Sequence, residues 1–337
     1  MFDFDFDHEQ PGTLAEAVTL LERSAPGGRI IAGGTDLLPN MRVDVLRPTT
    51  LISLSRIEPE SPRRDAAGAI RIDALTRLAA IAESPFIGEE LPLLAESARA
   101  VGGNQIRHMG TLGGNLCQDT RCLYLNQRHD YQFVAPCHKR GGTICYPFPQ
   151  NKPDTCWSVY MSDVAPALIA LDAEVETVGG KGARRLSVEA LFTGSGLTPL
   201  GIDRDEIISA VVVPPQPGGA RFGYHKSARR GGLEFAMAVI AARLRIAEDG
   251  KSCMNARIAM GAVRERPLRM PAAERMLSGA VLNEASIGAA VAAALDELKP
   301  LPHHGYIKSD IVDNVRVYLR RVLERAAGGK NGQVGSA

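Results

Sequence analysis

Residues 32–42 read AGGTDLLPNMR, and residues 106–116 read IRHMGTLGGNL. Each stretch is a glycine-rich turn beside an apolar segment. Glycines let the backbone approach a ligand closely and direct successive N–H groups at one anion, and Thr and Asn add short hydrogen-bonding side chains. The combination suits a pyrophosphate, although a single glycine turn more often binds nothing. Neither turn has the dinucleotide spacing G-x-G-x-x-G or the P-loop spacing G-x-x-x-x-G-K-[ST].

The sequence outside the turns predicts mixed helices and strands. Thr13 and Glu16 have the spacing of a capping box ahead of a helix, and the runs RII and LISLS predict strands. Thr35 or Asp36 is expected to cap the helix that follows the first turn. A Pro-rich break, VVVPPQPGGA, separates the last unit, in which strand-like runs alternate with helices rich in Ala and Leu. The predicted divisions are 1–60, 61–217, 218–330 and a disordered tail at 331–337.

Composition describes an ordinary globular protein. Hydrophobic residues make up 45% of the 337 residues and charged residues 23%, with a net charge of +1. There is no positive field to attract nucleic acid or anionic lipid, so we expect neither as a partner. The acidic start MFDFDFDHEQ lacks the layout of a signal peptide, and no apolar run reaches the length of a membrane span. These features predict a cytoplasmic protein.

The cysteines are clustered. Five of the six lie between residues 117 and 156: Cys117, Cys122, Cys137, Cys145 and Cys156. Disulfides, a zinc site or an iron–sulfur cluster could explain such clustering, and a reducing cytoplasm disfavours disulfides. Structural zinc sites favour close C-x₂₋₄-C pairs, of which this stretch has no C-x₂-C example. Spacing alone leaves zinc and a four-cysteine cluster open. The sixth cysteine, Cys253, reads as a core or surface residue.

Several motifs in order resemble one family. The two glycine turns, SDVAPALIALDAEV, EIISAVVVP and YHKSARR together resemble the FAD-binding medium subunit of the xanthine oxidase and carbon monoxide dehydrogenase family of molybdenum hydroxylases. The resemblance covers roughly residues 5–325. It implies an α+β fold in which a two-subdomain, PCMH-type FAD-binding domain is followed by a C-terminal domain with a three-stranded antiparallel sheet and helices. FAD would lie between the two N-terminal subdomains.

The resemblance also implies roles for individual residues. One wall of the pyrophosphate site would comprise Ile31, Ala32, Gly33, Gly34, Thr35, Asp36, Leu37 and Leu38, and the opposite wall Thr111, Gly113, Gly114 and Asn115. Asp163 matches a residue that contacts the nucleotide end of FAD, and Ile207 and Lys226 match positions near the isoalloxazine ring. Glu234 stands where the family commonly has Asp. His108, where the family often has Asn or Asp, reads as a partly exposed turn histidine.

An insert distinguishes this chain from most members of the family. In most members, the segment between the positions of Asn115 and Asp163 is a short loop. Here it contains about 40 additional residues, which are polar and irregular. A loop of this length is usually functional, disordered or held by something else. The 4-hydroxybenzoyl-CoA reductases resemble the chain in having a cysteine-bearing insert at this point (117–160) that carries a four-iron four-sulfur cluster. That resemblance assigns Cys122, Cys137, Cys145 and Cys156 as ligands and leaves Cys117 as a spare, buried thiol. His138 could replace a cysteine but reads as a solvated loop residue.

The function implied is an electron relay with no substrate chemistry on this chain. Electrons from a ferredoxin would pass through the cluster and FAD to two-iron clusters on a small subunit. They would then reach molybdenum on a large subunit, where the hydroxyl of a 4-hydroxybenzoyl-CoA-like substrate is removed. One alternative is the FAD subunit of another molybdenum hydroxylase that oxidises an aromatic or heterocyclic substrate. The other is a zinc-braced, non-redox assembly subunit.

Overall fold

The first sheet carries the first glycine turn. The computed structural model describes residues 4–127, 135–150, 155–302 and 307–328, so the predicted tail (331–337) lies outside the described residues. The elements of this unit are β1 (Asp7–Glu9), α1 (Leu14–Arg23), β2 (Gly28–Ile31), α2 (Leu37–Arg42) and β3 (Thr50–Ser53). The strands are parallel in the order β1-β3-β2.

Local sequence signals explain where α1 begins. The Thr13 hydroxyl accepts a hydrogen bond from the Glu16 N–H at 3.2 Å, as the capping-box spacing predicts. The Glu16 carboxylate, however, accepts from the N–H of Gly12 rather than from that of Thr13. Ala17, Val18 and Leu21 then form the buried face of the helix.

The second sheet has five antiparallel strands. Its strands are β4 (Arg63–Arg64), β5 (Ile70–Asp73), β6 (Glu174–Gly179), β7 (Gly182–Ser187) and β8 (Ile207–Val213), in the order β4-β5-β8-β6-β7. The helices are α3 (Leu78–Glu83), α4 (Pro85–Glu90), α5 (Pro92–Arg99), α6 (Asn104–Met109), α7 (Leu112–Leu116) and α8 (Ala165–Ala170). Strand β8 is the middle strand of this order, and every one of its residues is buried.

The C-terminal sheet has four strands rather than the predicted three. They are β9 (Ala220–Ser227), β10 (Ala238–Ile246), β11 (Cys253–Gly261) and β12 (Leu268–Arg269), antiparallel in the order β12-β11-β10-β9. The additional strand, β12, has only two residues, which is too short for an alternating pattern to be visible in the sequence. The helices are α9 (Pro271–Leu277), α10 (Glu284–Glu297) and α11 (Lys308–Ala327). The α+β class and the C-terminal domain of sheet and helices are confirmed.

Close packing joins the three units. Helix α1 packs against β6 and β8, helix α8 packs against β10 and β11, and α11 lies across β9 and β10. A Cβ at Gly223 in β9 would lie 2.4 Å from the Val322 carbonyl oxygen, so only glycine permits this approach of α11. Arg325 of α11 also forms a two-pronged ion pair with Glu96 of α5, at 2.8 and 2.9 Å. The glycine turns therefore lie on a tightly packed scaffold.

Candidate cofactor sites

The two glycine turns contact each other. A Cβ at Gly33 would lie 1.9 Å from the Met109 carbonyl oxygen and 3.0 Å from Gly110 Cα. Gly34 has φ of 69°, which L side chains rarely adopt. In the second turn, the Thr111 hydroxyl accepts a hydrogen bond from Gly114 N at 3.0 Å. Glycine is therefore required in these turns because the two backbones approach each other closely, independently of any ligand.

A two-lobed cleft opens where the turns meet. The larger lobe has a cavity volume of about 460 Å³ and the smaller lobe about 180 Å³. Both lobes share lining residues from the turns: Thr35, Asp36, Gly110, Thr111, Gly114 and Gln118. The shared lining makes the lobes the two ends of one cleft, with the turns between them.

Most of the predicted residues line this cleft. The larger lobe is lined by Ile31, Ala32, Gly33, Gly34, Thr35, Asp36, Leu37, Thr111, Gly113, Gly114 and Ile207. The smaller lobe is lined by Thr35, Asp36, Thr111, Gly114, Asn115, Asp163 and Lys226. Leu38 is absent from the described lining of both lobes, because its side chain packs against Gly34 from beneath.

Asp163 and Lys226 form a buried ion pair in the smaller lobe. Lys226 Nζ lies 2.8 Å from Asp163 Oδ2, and their side chains are 11% and 7% exposed. Burial raises the pKa of Asp163, while the Lys226 charge opposes the rise. The second carboxylate oxygen, Oδ1, is buried without a hydrogen-bond partner among the described residues. It is an unused acceptor on a residue that lines the smaller lobe.

The two lobes group these residues differently from the resemblance. The resemblance places Lys226 and Ile207 near the isoalloxazine ring and Asp163 at the nucleotide end of FAD. The structure pairs Lys226 with Asp163, while Ile207 lines the other lobe and belongs to the core around α1. The strand β9 that carries Lys226 packs against α5, and Lys226 also donates to the Ala100 carbonyl at 3.0 Å.

Further residues complete the lining. Among the residues of the smaller lobe that the sequence did not single out are Gln118, Arg121, Leu233 and Phe235. Glu234, which the sequence did consider, also lines this lobe. The larger lobe includes the cations Arg29 and Arg204. Burial is the main cause that lowers the pKa of Arg29, and the charge of Arg204 lowers it further. In the sequence, the segment GGLEF directly after the Lys-x-x-x-Arg run was the feature that could have indicated these lining residues of the smaller lobe. His108 is exposed and bonded to the Asn104 carbonyl, and it lies outside the described lining.

Three cysteines of the insert begin the same type of turn. The N–H of residue i+3 donates to the carbonyl of the cysteine at 3.1 Å for Cys122, 2.9 Å for Cys137 and 3.0 Å for Cys145. Backbone N–H groups near each sulfur lower the pKa of the thiol, against the larger effect of burial. They belong to Tyr124 and Leu125 for Cys122, to Lys139 and Arg140 for Cys137, and to Phe148 and Trp157 for Cys145. Such donors stabilise a thiolate far more than a neutral thiol, which is a weak acceptor.

The four candidate thiols also lie within electrostatic reach of one another. Burial is the main cause that raises the pKa of Cys122, to about 11, and the charges of Cys137 and Cys156 raise it further. Burial likewise raises the pKa of Cys145 and Cys137, and Cys156 adds to both shifts. The chain therefore brings Cys122, Cys137, Cys145 and Cys156 into one region.

Other features of the insert differ from expectation. All six cysteines are described, and none forms a disulfide. Cys117 lines the larger lobe with part of its surface exposed, while burial of its thiol raises the pKa to about 12. His138 Nε2 is buried without a partner among the described residues, so this ring is not a solvated loop residue. Within the described ranges, no group of three or more His, Cys, Asp or Glu side chains is arranged to hold a metal ion.

Comparison with known proteins identifies the family and the fold. Residues 4–216 match the FAD binding domain in molybdopterin dehydrogenase, and residues 223–307 match the CO dehydrogenase flavoprotein C-terminal domain. The chain belongs to the FAD-binding medium subunits of the xanthine oxidase and carbon monoxide dehydrogenase family. It is an oxidoreductase subunit, and the predicted FAD binding is confirmed at the level of the domain.

Individual relatives agree with this assignment. This chain is 32% identical to the aldehyde oxidoreductase FAD-binding subunit PaoB of Escherichia coli (strain K12), over 81% of this chain and 86% of that protein. It is 27% identical to the carbon monoxide dehydrogenase medium chain of Afipia carboxidovorans, over 97% and 98%. The solved carbon monoxide dehydrogenase from Hydrogenophaga pseudoflava superposes with a TM-score of 0.79 at 25% identity, over 97% of this chain and 99% of that one.

The cleft of this FAD-binding subunit fits its cofactor. Two backbone cradles stand beside a lobe that contains two arginines, which suits a pyrophosphate. The unpartnered Asp163 oxygen in the other lobe offers an acceptor for the N–H or O–H groups of a flavin nucleotide. Bound FAD supplies one- and two-electron redox chemistry, and the chain supplies its position and surroundings.

Proposed function

We propose that this FAD-binding subunit also carries one four-iron four-sulfur cluster on Cys122, Cys137, Cys145 and Cys156. It would be the electron-transfer subunit of a 4-hydroxybenzoyl-CoA reductase, and the residues assigned above to FAD would hold that cofactor. Its partners would be a large subunit with the molybdenum cofactor and a small subunit with two-iron clusters, in a heterotrimer that can dimerise. A ferredoxin would supply electrons. No helix of the described residues is long and apolar enough to cross a membrane, and we propose a cytoplasmic location.

The repeated cysteine turns carry this proposal. In three separate segments a cysteine begins a turn that the N–H of residue i+3 closes, and the sulfur of Cys156 lies 3.2 Å from the Ser158 hydroxyl. Hydrogen bonds to sulfur are among the features by which proteins tune iron–sulfur clusters. A coordinated metal deprotonates the thiols whose pKa burial raises, so the donors then face thiolates.

The flavin context favours a cluster over zinc. Zinc and a four-iron cluster both accept four cysteine ligands. A one-electron centre beside an FAD domain has a use in electron transfer, whereas zinc would only brace the insert.

The electron balance fits a reductive reaction. Removing the hydroxyl of a 4-hydroxybenzoyl-CoA-like substrate as water requires two electrons and two protons. A ferredoxin delivers one electron at a time, so two deliveries are needed for each substrate. The cluster would accept these single electrons, and the flavin would collect them for transfer toward molybdenum.

One relative favours a second candidate function. PaoB, named as the FAD-binding subunit of an aldehyde oxidoreductase, is 32% identical over most of this chain. An aldehyde-oxidising complex would send electrons in the opposite direction, from molybdenum to the flavin. Purified complex incubated with an aldehyde or with reduced ferredoxin and 4-hydroxybenzoyl-CoA separates the two functions, because each reaction consumes a different substrate.

Ligand substitution tests the cluster. Iron and sulfide would be measured in the wild-type chain and in Cys137→Ser, with Cys117→Ser as the matched control. We expect Cys137→Ser to lose most of its iron, since an alcohol is a poor ligand in place of a thiolate. Cys117→Ser should retain it, because Cys117 lines the FAD cleft. Full iron content in Cys137→Ser would overturn the ligand assignment.

A further inference from the structure

A polar network joins the FAD cleft to the Cys122 turn. Asp36, at the end of the first glycine turn, accepts a hydrogen bond from the guanidinium of Arg121, the residue before Cys122. The Arg121 side chain is 9% exposed and lines the smaller lobe of the cleft. A buried arginine held by a carboxylate has few alternative positions, so it fixes the distance between these two backbone segments.

Helix α2 takes part in the same network. Asn40 Oδ1 accepts from Arg121 Nη1 at 3.0 Å and from Asn126 Nδ2 at 2.9 Å. The amide oxygen of Asn126 in turn accepts from the Cys122 N–H at 3.0 Å. One buried oxygen on α2 therefore orients both sides of the Cys122 turn.

A second contact holds the other end of α2. Arg140 Nη2 donates to the carbonyls of Val43 and Asp44, just beyond the helix, at 2.9 and 3.1 Å. Arg140 is also the residue whose N–H closes the Cys137 turn. A cation at the C-terminal end of a helix interacts favourably with its last carbonyls and its dipole.

Helix α2 is thus attached to two cysteine turns, and it directly follows the glycine turn that lines the cleft. We propose that Arg121 and Arg140 are positioning residues through which an occupied cysteine site tightens FAD binding. A cluster that fixes both turns would fix α2 and the glycine turn before FAD arrives, so FAD would lose less conformational freedom on binding. Linkage requires that FAD tighten cluster binding by the same factor.

The test compares FAD affinity with and without the cluster. It rests on the proposed function, because it needs a chain that carries iron. Flavin-depleted samples of the whole chain, cluster-loaded or cluster-depleted, would be titrated with FAD and followed by flavin fluorescence. We expect the dissociation constant to be about tenfold higher without the cluster, within the usual range of coupling between sites. Equal dissociation constants within about twofold would overturn the inference.

Variants assign the coupling to the network. Arg140→Gln and Asn40→Ser should reduce the tenfold ratio to about twofold or less, and Arg140→Lys should restore part of it. Asn40 lies on α2 outside the cysteine turns, so its variant tests the network even if Arg140→Gln fails to load iron. Arg243→Gln is the control, because this arginine is buried and bonded to Asp172 but lies outside the described lining of the cleft. A ratio unchanged in Asn40→Ser would contradict the assignment.

Iron and sulfide analysis of the same samples separates the two proposals. A wild-type chain without iron would overturn the proposed cluster, and this inference with it. A chain with a full complement of iron but with FAD affinity independent of the cluster would leave the proposed function standing and remove the coupling.

Discussion

The contact between the two glycine turns predicts a specific failure in Gly33→Ala. The new Cβ would lie 1.9 Å from the Met109 carbonyl oxygen, whereas ordinary contact begins at 3.4 Å. Because the obstructing atom belongs to the backbone, no side-chain rotation relieves the overlap. The turns must separate by about 1.5 Å, and overpacking of this kind costs about 1–3 kcal/mol.

That strain should appear in FAD binding. Since FAD would require both turns in place, we expect its dissociation constant to rise roughly 5- to 150-fold. Gly88→Ala is the matched control, because Gly88 lies in α4 with nothing within 4 Å of its would-be Cβ. This control should bind FAD normally and be more stable by about 0.5–1 kcal/mol, as alanine is in a helix.

The assay is fluorescence titration of flavin-depleted protein with FAD, together with thermal unfolding of each variant. Gly33→Ala that stays folded but binds FAD weakly would agree with the account. Gly33→Ala that binds FAD within about twofold of the wild type would refute the reasoning, because it would mean that the turns need not touch.

Three further predictions concern buried charges. Asp163→Asn should lower the free energy of unfolding by about 3–5 kcal/mol because it leaves the buried ammonium of Lys226 unpaired, and adding Lys226→Met should recover most of this loss in denaturant titrations. No recovery in the double variant would contradict the pairing. Glu96→Gln should cost roughly 1–2 kcal/mol by breaking the pair with Arg325 that joins α5 to α11, and an unchanged melting temperature would argue against that contact. Burial lowers the pKa of His225 from 6.5 to about 4, so the unfolded chain binds more protons between these values and stability should fall as the pH drops from 6.5 to 4. His225→Phe should reduce the change in the free energy of unfolding between pH 6.5 and pH 4 by about 1–2 kcal/mol, because solvent screens the partly exposed ring. An identical pH profile in the variant would exclude His225 as the source of this dependence.

Backbone requirements made part of the cleft predictable from sequence. Gly33, Gly34 and Gly113 stand where turns approach other backbone or adopt unusual φ, and such constraints leave a local record in the sequence. The capping role of Thr13 is also local. By contrast, Asp36 begins α2 without capping it, because its carboxylate instead accepts from Arg121 and from the Asp119 N–H.

Long-range pairings account for what the sequence could not show. Lys226 and Asp163 lie on different domains, and the packing of β9 beside Asp163, where the Tyr224 hydroxyl donates to the Asp163 carbonyl at 3.1 Å, brings them together. The position of Leu38 beneath Gly34 and the exposure of Cys117 likewise depend on how helices are oriented, which spacing does not reveal. The cysteine clustering was visible in sequence, whereas the backbone donors around each sulfur required the structure.

Metal and flavin analysis of the purified chain tests the central claim most directly. The protein would be isolated without oxygen, and its iron, sulfide, zinc and FAD content measured together with absorption spectra before and after dithionite. The account predicts four irons and four sulfides for each FAD, with a broad absorption shoulder that bleaches on reduction. FAD without iron, or a chain that contains one zinc ion instead, would contradict it.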